Sequence, residues 1–478
     1  MEEKRVVITG SGVISPVGND TEQFWSALKA GRCGITKYPE MEECGLPVHV
    51  AGVVRDFDPA AFGISPKDAR RNDRFCLMAQ AAAAQAMQAS GLQAGTNIAE
   101  ERLGVYFGTG IGGMKTFADQ TQVLLEEGAD RISPLFIPKM IGNIAAGNIA
   151  ITYGAQGANL TTTAACASST QSVGEAFRAI HFGFADAIIA GGTEAVLHPL
   201  AFGGFVSAHA LTHAEDPLQA SLPFSVKRGG FVMAEGAVAL VLEEYGHALS
   251  RGADILAEIT GYGNYCDAYH ATAPRPDGLP ASRAIRDALV QSGYRAGEDL
   301  YINAHGTGTL LNDKTETAAI KLALGEAEAR RASISSTKSM TGHMIGATGA
   351  AEILASALAL RDGVDMFDAG DASYILAADG DTALIYREGD TETPVASVSN
   401  IIVNSVTSGV FLPVEYKAAV ADATHDAEHM RAALDHNIEH AYIYPIAKIS
   451  TGLVYTKDIT KMFYREGYYT PGAATFGE

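Results

Sequence analysis

The chain has 478 residues, 47% of them hydrophobic and 19% charged, and carries a formal charge of −20. That length buries a large core and fits two or three domains or one large duplicated unit, and the composition excludes a disordered or fibrous chain. The acidic balance excludes a nucleic-acid partner, and any acidic protein partner needs a local basic patch.

The chain starts Met1-Glu2-Glu3-Lys4-Arg5 and turns directly into a strand-like run without a signal-type apolar core. With no run of about 18 uncharged apolar residues, no membrane span is expected and the reading is cytoplasmic. Cys33, Cys44, Cys76, Cys166 and Cys266 are odd in number and lack CxxC or CxxH spacing, so neither a disulfide framework nor a zinc site is expected.

Strand-like runs fall at 5–9, 103–107, 159–163, 187–190, 237–243, 256–261, 300–304 and 332–336. Alanine-rich helices at 74–90 and 347–360 lie between and after them, which predicts an α/β protein with mixed sheets. The first run ends Ile8-Thr9-Gly10-Ser11-Gly12 and the sixth Ile259-Thr260-Gly261-Tyr262-Gly263. A weaker echo links 104–110 with 301–308, and together they hint at a duplicated chain with an insertion in its first half. Lys67, Arg70, Arg71 and Arg74 form the densest basic cluster of that half.

Cys166 follows a β-rich run, Thr161-Thr162-Thr163, and small residues. Val173, Phe177 and Ile180 then recur at i, i+4 and i+7, predicting a helix from about Ala167 with Cys166 at its N-terminus. Free N–H groups there favour a thiolate nucleophile, although a cysteine at such a position also serves as a small buried hydrophobe. His305 lies in Asn303-Ala304-His305-Gly306-Thr307-Gly308-Thr309, residues too small to pack a core, so its ring is expected to face a cavity. His343 stands five residues after Lys338 between Gly342 and Gly346, where glycine permits close backbone approach to a ligand. A thiol with two imidazoles on separate small-residue loops suits carbon–carbon bond formation on thioesters.

These three motifs, with Asp313 eight residues past His305 and Glu352 nine past His343, resemble those of the β-ketoacyl-acyl carrier protein synthases. The likeness is to the elongating condensing enzymes of the synthase II kind and their polyketide relatives, and runs from about residue 4 to 361. It implies a thiolase-like α/β fold of two pseudo-twofold-related βαβαβ-type halves, layered α/β/α/β/α and normally homodimeric. The halves fall at 1–255 and 256–416, with 417–478 an appended segment of unassigned role.

The resemblance implies that Cys166 accepts an acyl chain and that His305 and His343 stabilise the enolate left when malonyl carrier protein loses CO2. Lys338 would organise the pocket electrostatically, with Glu352 and Asp313 in support. Thr307 and Thr309 would hold the pantetheine, and no metal or organic cofactor enters. Lys67, Arg70, Arg71 and Arg74 match the place where the family docks its acyl carrier protein, although a solvated helix face explains them equally.

Thiolases use a second cysteine near the C-terminus, whereas the last one here is Cys266. Initiating synthases carry Asn where His343 stands, and chain-length-factor subunits typically replace the nucleophile. The alternative reading is a catalytically weakened partner subunit that heterodimerises with an active synthase. It draws on one departure, Asn400-Ile401-Ile402-Val403-Asn404-Ser405-Val406 in place of the family's Asn-Ser-Phe-Gly-Phe-Gly-Gly. Valines resist the backbone angles glycine permits, and Asn404 stands at the gating aromatic position, so altered gating or turnover is expected. The pairs His425/His429 and His436/His440 read as one face of an exposed helix rather than as metal ligands.

Overall fold

The computed structural model describes residues 3–362 and three further strands, Tyr374–Asp379, Thr382–Arg387 and Ala396–Ser399, paired antiparallel in that order. Asn404, the altered 400–409 loop, both histidine pairs and the 417–478 segment lie outside the described residues.

The main sheet contains β1 (Val6–Ile14), β2 (Leu103–Gly108), β3 (Asn159–Leu160), β4 (Ala187–Glu194), β5 (Gly236–Glu244) and β6 (Ala257–Ile259). Their order is β3-β2-β4-β5-β1-β6. β3, β2 and β4 run parallel, while β5 is antiparallel to both β4 and β1. Every residue of β4 is buried, as the unbroken run Ala-Ile-Ile-Ala-Gly-Gly-Thr-Glu requires of a strand covered on both faces. A second, parallel pair joins β7 (Tyr301–Asn303) to β8 (Ser333–Ser335).

The helices that cover these strands are α1 (Arg74–Ser90), α2 (Ile144–Tyr153), α3 (Ser168–His181), α4 (Leu279–Ser292), α5 (Leu310–Leu324) and α6 (Thr348–Asp362). Successive strand residues point to opposite faces, so each strand feeds two cores. Val105, Phe107, Ile189 and Val241 meet Phe75, Met78 and Ala82 of α1 and Ile149 of α2. On the other side Ile188, Ala190 and Leu240 meet Val173, Phe177 and Ile180 of α3 and Leu354 and Leu358 of α6. The i, i+4, i+7 stripe expected after Cys166 is thus the face that α3 buries.

The helix at 74–90 forms as predicted, started by the Asp73 carboxylate accepting the Phe75 N–H. β1 and β4 are longer than their apolar runs, because their glycine-rich ends continue the extended backbone. The run at 159–163 is shorter, pairing only at Asn159 and Leu160. The Ile-Thr-Gly-x-Gly echo has a physical meaning. A Cβ on Gly10 or Gly12 would sit 2.2 or 2.1 Å from the carbonyl oxygens of Ala86 and Ala82 on α1. A Cβ on Gly261 or Gly263 would sit 2.3 or 2.0 Å from those of Ala288 and Ala284 on α4. In both places alternate glycines let a helix approach through residues four apart, one packing device used twice.

Candidate active site

Cys166 occupies a single 3₁₀ turn, Ala165–Ala167, between β3 and α3. Ala165 adopts φ +49°, a strained angle for a residue with a Cβ. Ser168 holds the turn: its Oγ accepts the Ala164 N–H at 2.9 Å and donates to the Ala165 carbonyl at 2.7 Å.

His343 is fixed through its backbone, its N–H donating to Val232 and its carbonyl accepting from Ala234. Its Nε2 lies 2.9 Å from Cys166 Sγ and its Nδ1 2.9 Å from Thr348 Oγ1. The His305 ring meets it edge-on, centroids 5.4 Å apart. One ligand-type atom each from Cys166, His305 and His343 lies within 4.8 Å of the others, close enough for one bound carbonyl or one metal ion.

Lys338 is 1% exposed, and its ammonium donates to Glu352 Oε1 and to the His305 carbonyl. The five residues expected to form the centre, Cys166, His305, His343, Lys338 and Glu352, therefore come together. Asp313 lies on α5, accepting the N–H groups of Phe224 at 2.6 Å and Gly308 at 3.2 Å. Thr307 and Thr309 share a hydrogen bond of 3.0 Å, and Thr309 also caps α5 through the Asn312 N–H.

Two further carboxylates, outside the sequence motifs, support the site. Glu316, one turn beyond Asp313 on α5, accepts the N–H groups of His305 at 2.6 Å and Gly306 at 2.8 Å. Its only sequence signal is its place one helical turn after Asp313. Glu194, the fully buried end of β4, accepts the N–H groups of Gly110, Ile111 and Gly346 and the Thr109 hydroxyl. It ties the loop after β2 to the turn that carries His343.

Burial, and then Lys338, push the His305 imidazole down to about 3, and burial, Lys338 and His305 hold His343 well below the usual histidine range. Near neutral pH both rings are uncharged, each with one N–H to donate. Burial raises the Cys166 thiol, with Lys338 opposing. This corrects the expectation of a thiol favoured as thiolate by a helix end: Cys166 precedes the first residue of α3, and desolvation outweighs the local positive field. Burial likewise pushes the Glu352 carboxyl up to about 7, against the pull of Lys338.

The basic cluster divides. Lys67, Arg70 and Arg71 are exposed on the helix Pro66–Arg71. Arg74 is not a free docking cation: its guanidinium grips both oxygens of buried Glu235 at 2.7 and 2.8 Å and the Val54 carbonyl at 3.1 Å. Lys139, unremarked in the sequence, reaches the Arg70 carbonyl at 3.4 Å and adds a cation beside it.

A thiol and two neutral imidazoles converging beside a layered α/β sheet define an acyltransferase of the condensing-enzyme class with a thiolase-like fold. The family models "Beta-ketoacyl synthase, N-terminal domain" and "Beta-ketoacyl synthase, C-terminal domain" match residues 3–248 and 256–365. The chain belongs to the beta-ketoacyl synthase family.

It is 48% identical over 363 residues to 3-oxoacyl-[acyl-carrier-protein] synthase 2 of Synechocystis sp., covering 76% of this chain and 86% of that one. The protein of the same name from Staphylococcus aureus is 45% identical over 361 residues, with 76% and 86% covered. Among solved structures, the ishigamide ketosynthase/chain length factor superposes with a TM-score of 0.70 at 36% identity, covering 76% of this chain and 87% of that one. A type II PKS acyl-carrier protein in complex with its ketosynthase bound to the hexaketide gives 0.68 at 34% identity, with 75% and 87% covered.

Proposed function

We propose that this chain is an elongating β-ketoacyl-acyl carrier protein synthase of fatty acid synthesis, condensing malonyl carrier protein with an acyl chain held on Cys166. The observation that carries the reading is the approach of Cys166 Sγ to His343 Nε2 with His305 alongside. In the first step Cys166 sulfur attacks the acyl thioester, its proton passes through His343 Nε2 to the departing carrier thiolate, and the acyl group moves to Cys166. In the second, malonyl carrier protein loses CO2 and the electron pair of the broken bond forms an enolate. Two uncharged imidazoles can donate N–H to its oxygen without being drained as acids, which favours His305 and His343 for this role. The enolate carbon then attacks the acyl-Cys166 carbonyl and expels the thiolate, which regains a proton.

Lys338 and Glu352 hold the His305 loop, and we assign the hydroxyls of Thr307 and Thr309 to the pantetheine arm. Among the described residues nothing favours the weakened-partner reading, because nucleophile and both imidazoles are in place. The test is incubation of the purified chain with acyl and malonyl carrier proteins. β-Ketoacyl carrier protein and one CO2 per condensation are expected, and absence of product without a second subunit overturns the reading.

The partner is an acyl carrier protein, and we assign its docking to Lys67, Arg70 and Arg71 with Lys139, exposed or half-exposed cations on an otherwise acidic chain. Replacing Arg70 and Arg71 by Glu is expected to raise KM for malonyl carrier protein about tenfold or more while leaving kcat nearly unchanged. An unchanged KM removes the assignment. A homodimer is proposed on the sheet's edge: β3 exposes Asn159 and Leu160, and Ile151 on the adjoining α2 is 80% exposed. An edge with no further strand against it among the described residues, beside apolar surface, suits extension of the sheet by a second copy, and sedimentation equilibrium giving a monomer mass contradicts it. A division near residue 255 is proposed as well, supported by family models that span 3–248 and 256–365. A cytoplasmic location is proposed with it, supported by the five free cysteines; among the described residues no helix is long and apolar enough to cross a membrane.

A further inference from the structure

The His343 ring has two hydrogen-bonding ends, and only Nε2 faces Cys166. Its Nδ1 meets the hydroxyl of Thr348 at 2.9 Å, a side chain 2% exposed at the first position of α6. Near the start of a helix a threonine hydroxyl ordinarily accepts one of the free backbone N–H groups. Here Ser169 of α3 does so instead, its Oγ accepting the Ala350 N–H at 3.0 Å. Gly349 allows the two helix ends to approach this closely, since a Cβ there would lie 1.9 Å from Thr170 Oγ1. The Thr348 hydroxyl is left to the imidazole.

A neutral imidazole carries one N–H, so what Nδ1 does decides what Nε2 offers. The Cys166 thiol needs an acceptor at Nε2, whereas an enolate oxygen needs a donor there. A backbone carbonyl against Nδ1 would hold the ring as acceptor at Nε2, and a backbone N–H would hold it as donor. A hydroxyl both donates and accepts. We propose that Thr348 is a positioning residue whose hydroxyl turns between these roles, so that His343 accepts from the Cys166 thiol during acylation and donates to the enolate during condensation. The proposal rests on the condensing-enzyme reading above. Between the two steps the ring takes one proton from solvent at Nε2 and gives one back to solvent from Nδ1, so its charge and the proton count are unchanged.

The test uses the full chain with 15N-labelled histidine. Two-bond 1H–15N spectra are expected to report Nδ1–H on His343 in the free protein and Nε2–H after Cys166 is alkylated with iodoacetamide. Thr348→Val keeps the volume without the hydroxyl, and its His343 signals should no longer respond to alkylation. Its condensation rate is expected to fall about 30-fold at unchanged KM for malonyl carrier protein, while Thr348→Ser stays within about threefold of the parent. In a His343→Ala background the valine substitution should add no further loss, as a merely structural role would not predict.

The proposal is overturned by a tautomer that alkylation does not change, by Thr348→Val condensing within about twofold of the parent, or by Thr348→Ser being equally impaired. If the unsubstituted chain condenses nothing, the reading of the site fails instead, and the tautomer measurement still decides the role of Thr348.

Discussion

Replacing Cys166 by alanine is expected to reduce condensation at least about a thousandfold while sparing decarboxylation of malonyl carrier protein, because the two steps use different atoms. In the proposed mechanism the sulfur carries the acyl group and has no part in breaking the malonyl carbon–carbon bond. His305→Ala should show the complementary pattern. Its loss removes one of the two proposed donors to the enolate oxygen, which in comparable sites costs about 2.7–4 kcal/mol of barrier, roughly a hundred- to a thousandfold in rate. Both CO2 release and condensation should fall by that factor, while acylation of Cys166, followed by the mass of the acyl-enzyme, survives because His343 remains against Sγ. Measuring CO2, acyl-enzyme and product separately distinguishes the two variants. If Cys166→Ala also stops decarboxylation, or His305→Ala spares it, the division of labour between sulfur and ring is wrong.

The residues proposed to do this chemistry stand out in the sequence because they are chemically conspicuous and set among small neighbours. Cys166 among alanines and serines, and His305 and His343 among glycines, are conspicuous without any coordinates. The carboxylates of Glu194 and Glu316 are not. Glu194 accepts from backbone N–H groups in two loops far apart in the chain, and a backbone N–H leaves no mark in a sequence. Glu316 is hidden for the same reason, its partners being the N–H groups of His305 and Gly306.

Arg74 misleads in the opposite direction. It completes a run of like charges, yet the residue that decides its role is Glu235, distant in sequence and 3% exposed. The ionisation of Cys166 is not legible in the sequence, because position at a helix start is local and readable, whereas desolvation depends on everything packed around it. The glycine echo was readable as a repeat, but its cause, a helix carbonyl about 2 Å from where each Cβ would stand, belongs to the packing.

Lys338→Met should weaken the protein in a way that grows with pH, and Glu352 is the reason. The ammonium is the charge that faces the Glu352 carboxylate, and leaving a buried charge unpaired costs about 3–5 kcal/mol. A carboxyl can escape that penalty by taking a proton. With Lys338 present, burial already pushes Glu352 up to about 7, above its ordinary 4.5. A folded-state value raised in this way gives stability that is full below 4.5 and is lost as pH rises through 7, beyond which the loss is complete.

Without the lysine the folded-state value moves higher still, so the loss continues above pH 7 at up to about 1.4 kcal/mol per pH unit. Urea unfolding near pH 6, where Glu352 is protonated, should therefore show a modest difference between variant and parent, and near pH 9 a difference larger by about 2 kcal/mol or more. Acylation should slow as well. Lys338 is the cation that offsets the burial of the thiol, and each unit added to the thiol pKa lowers the thiolate fraction about tenfold. A stability difference equal at the two pH values means that Glu352 does not hold the unpaired charge, and an undiminished acylation rate means that the field of Lys338 does not reach the sulfur.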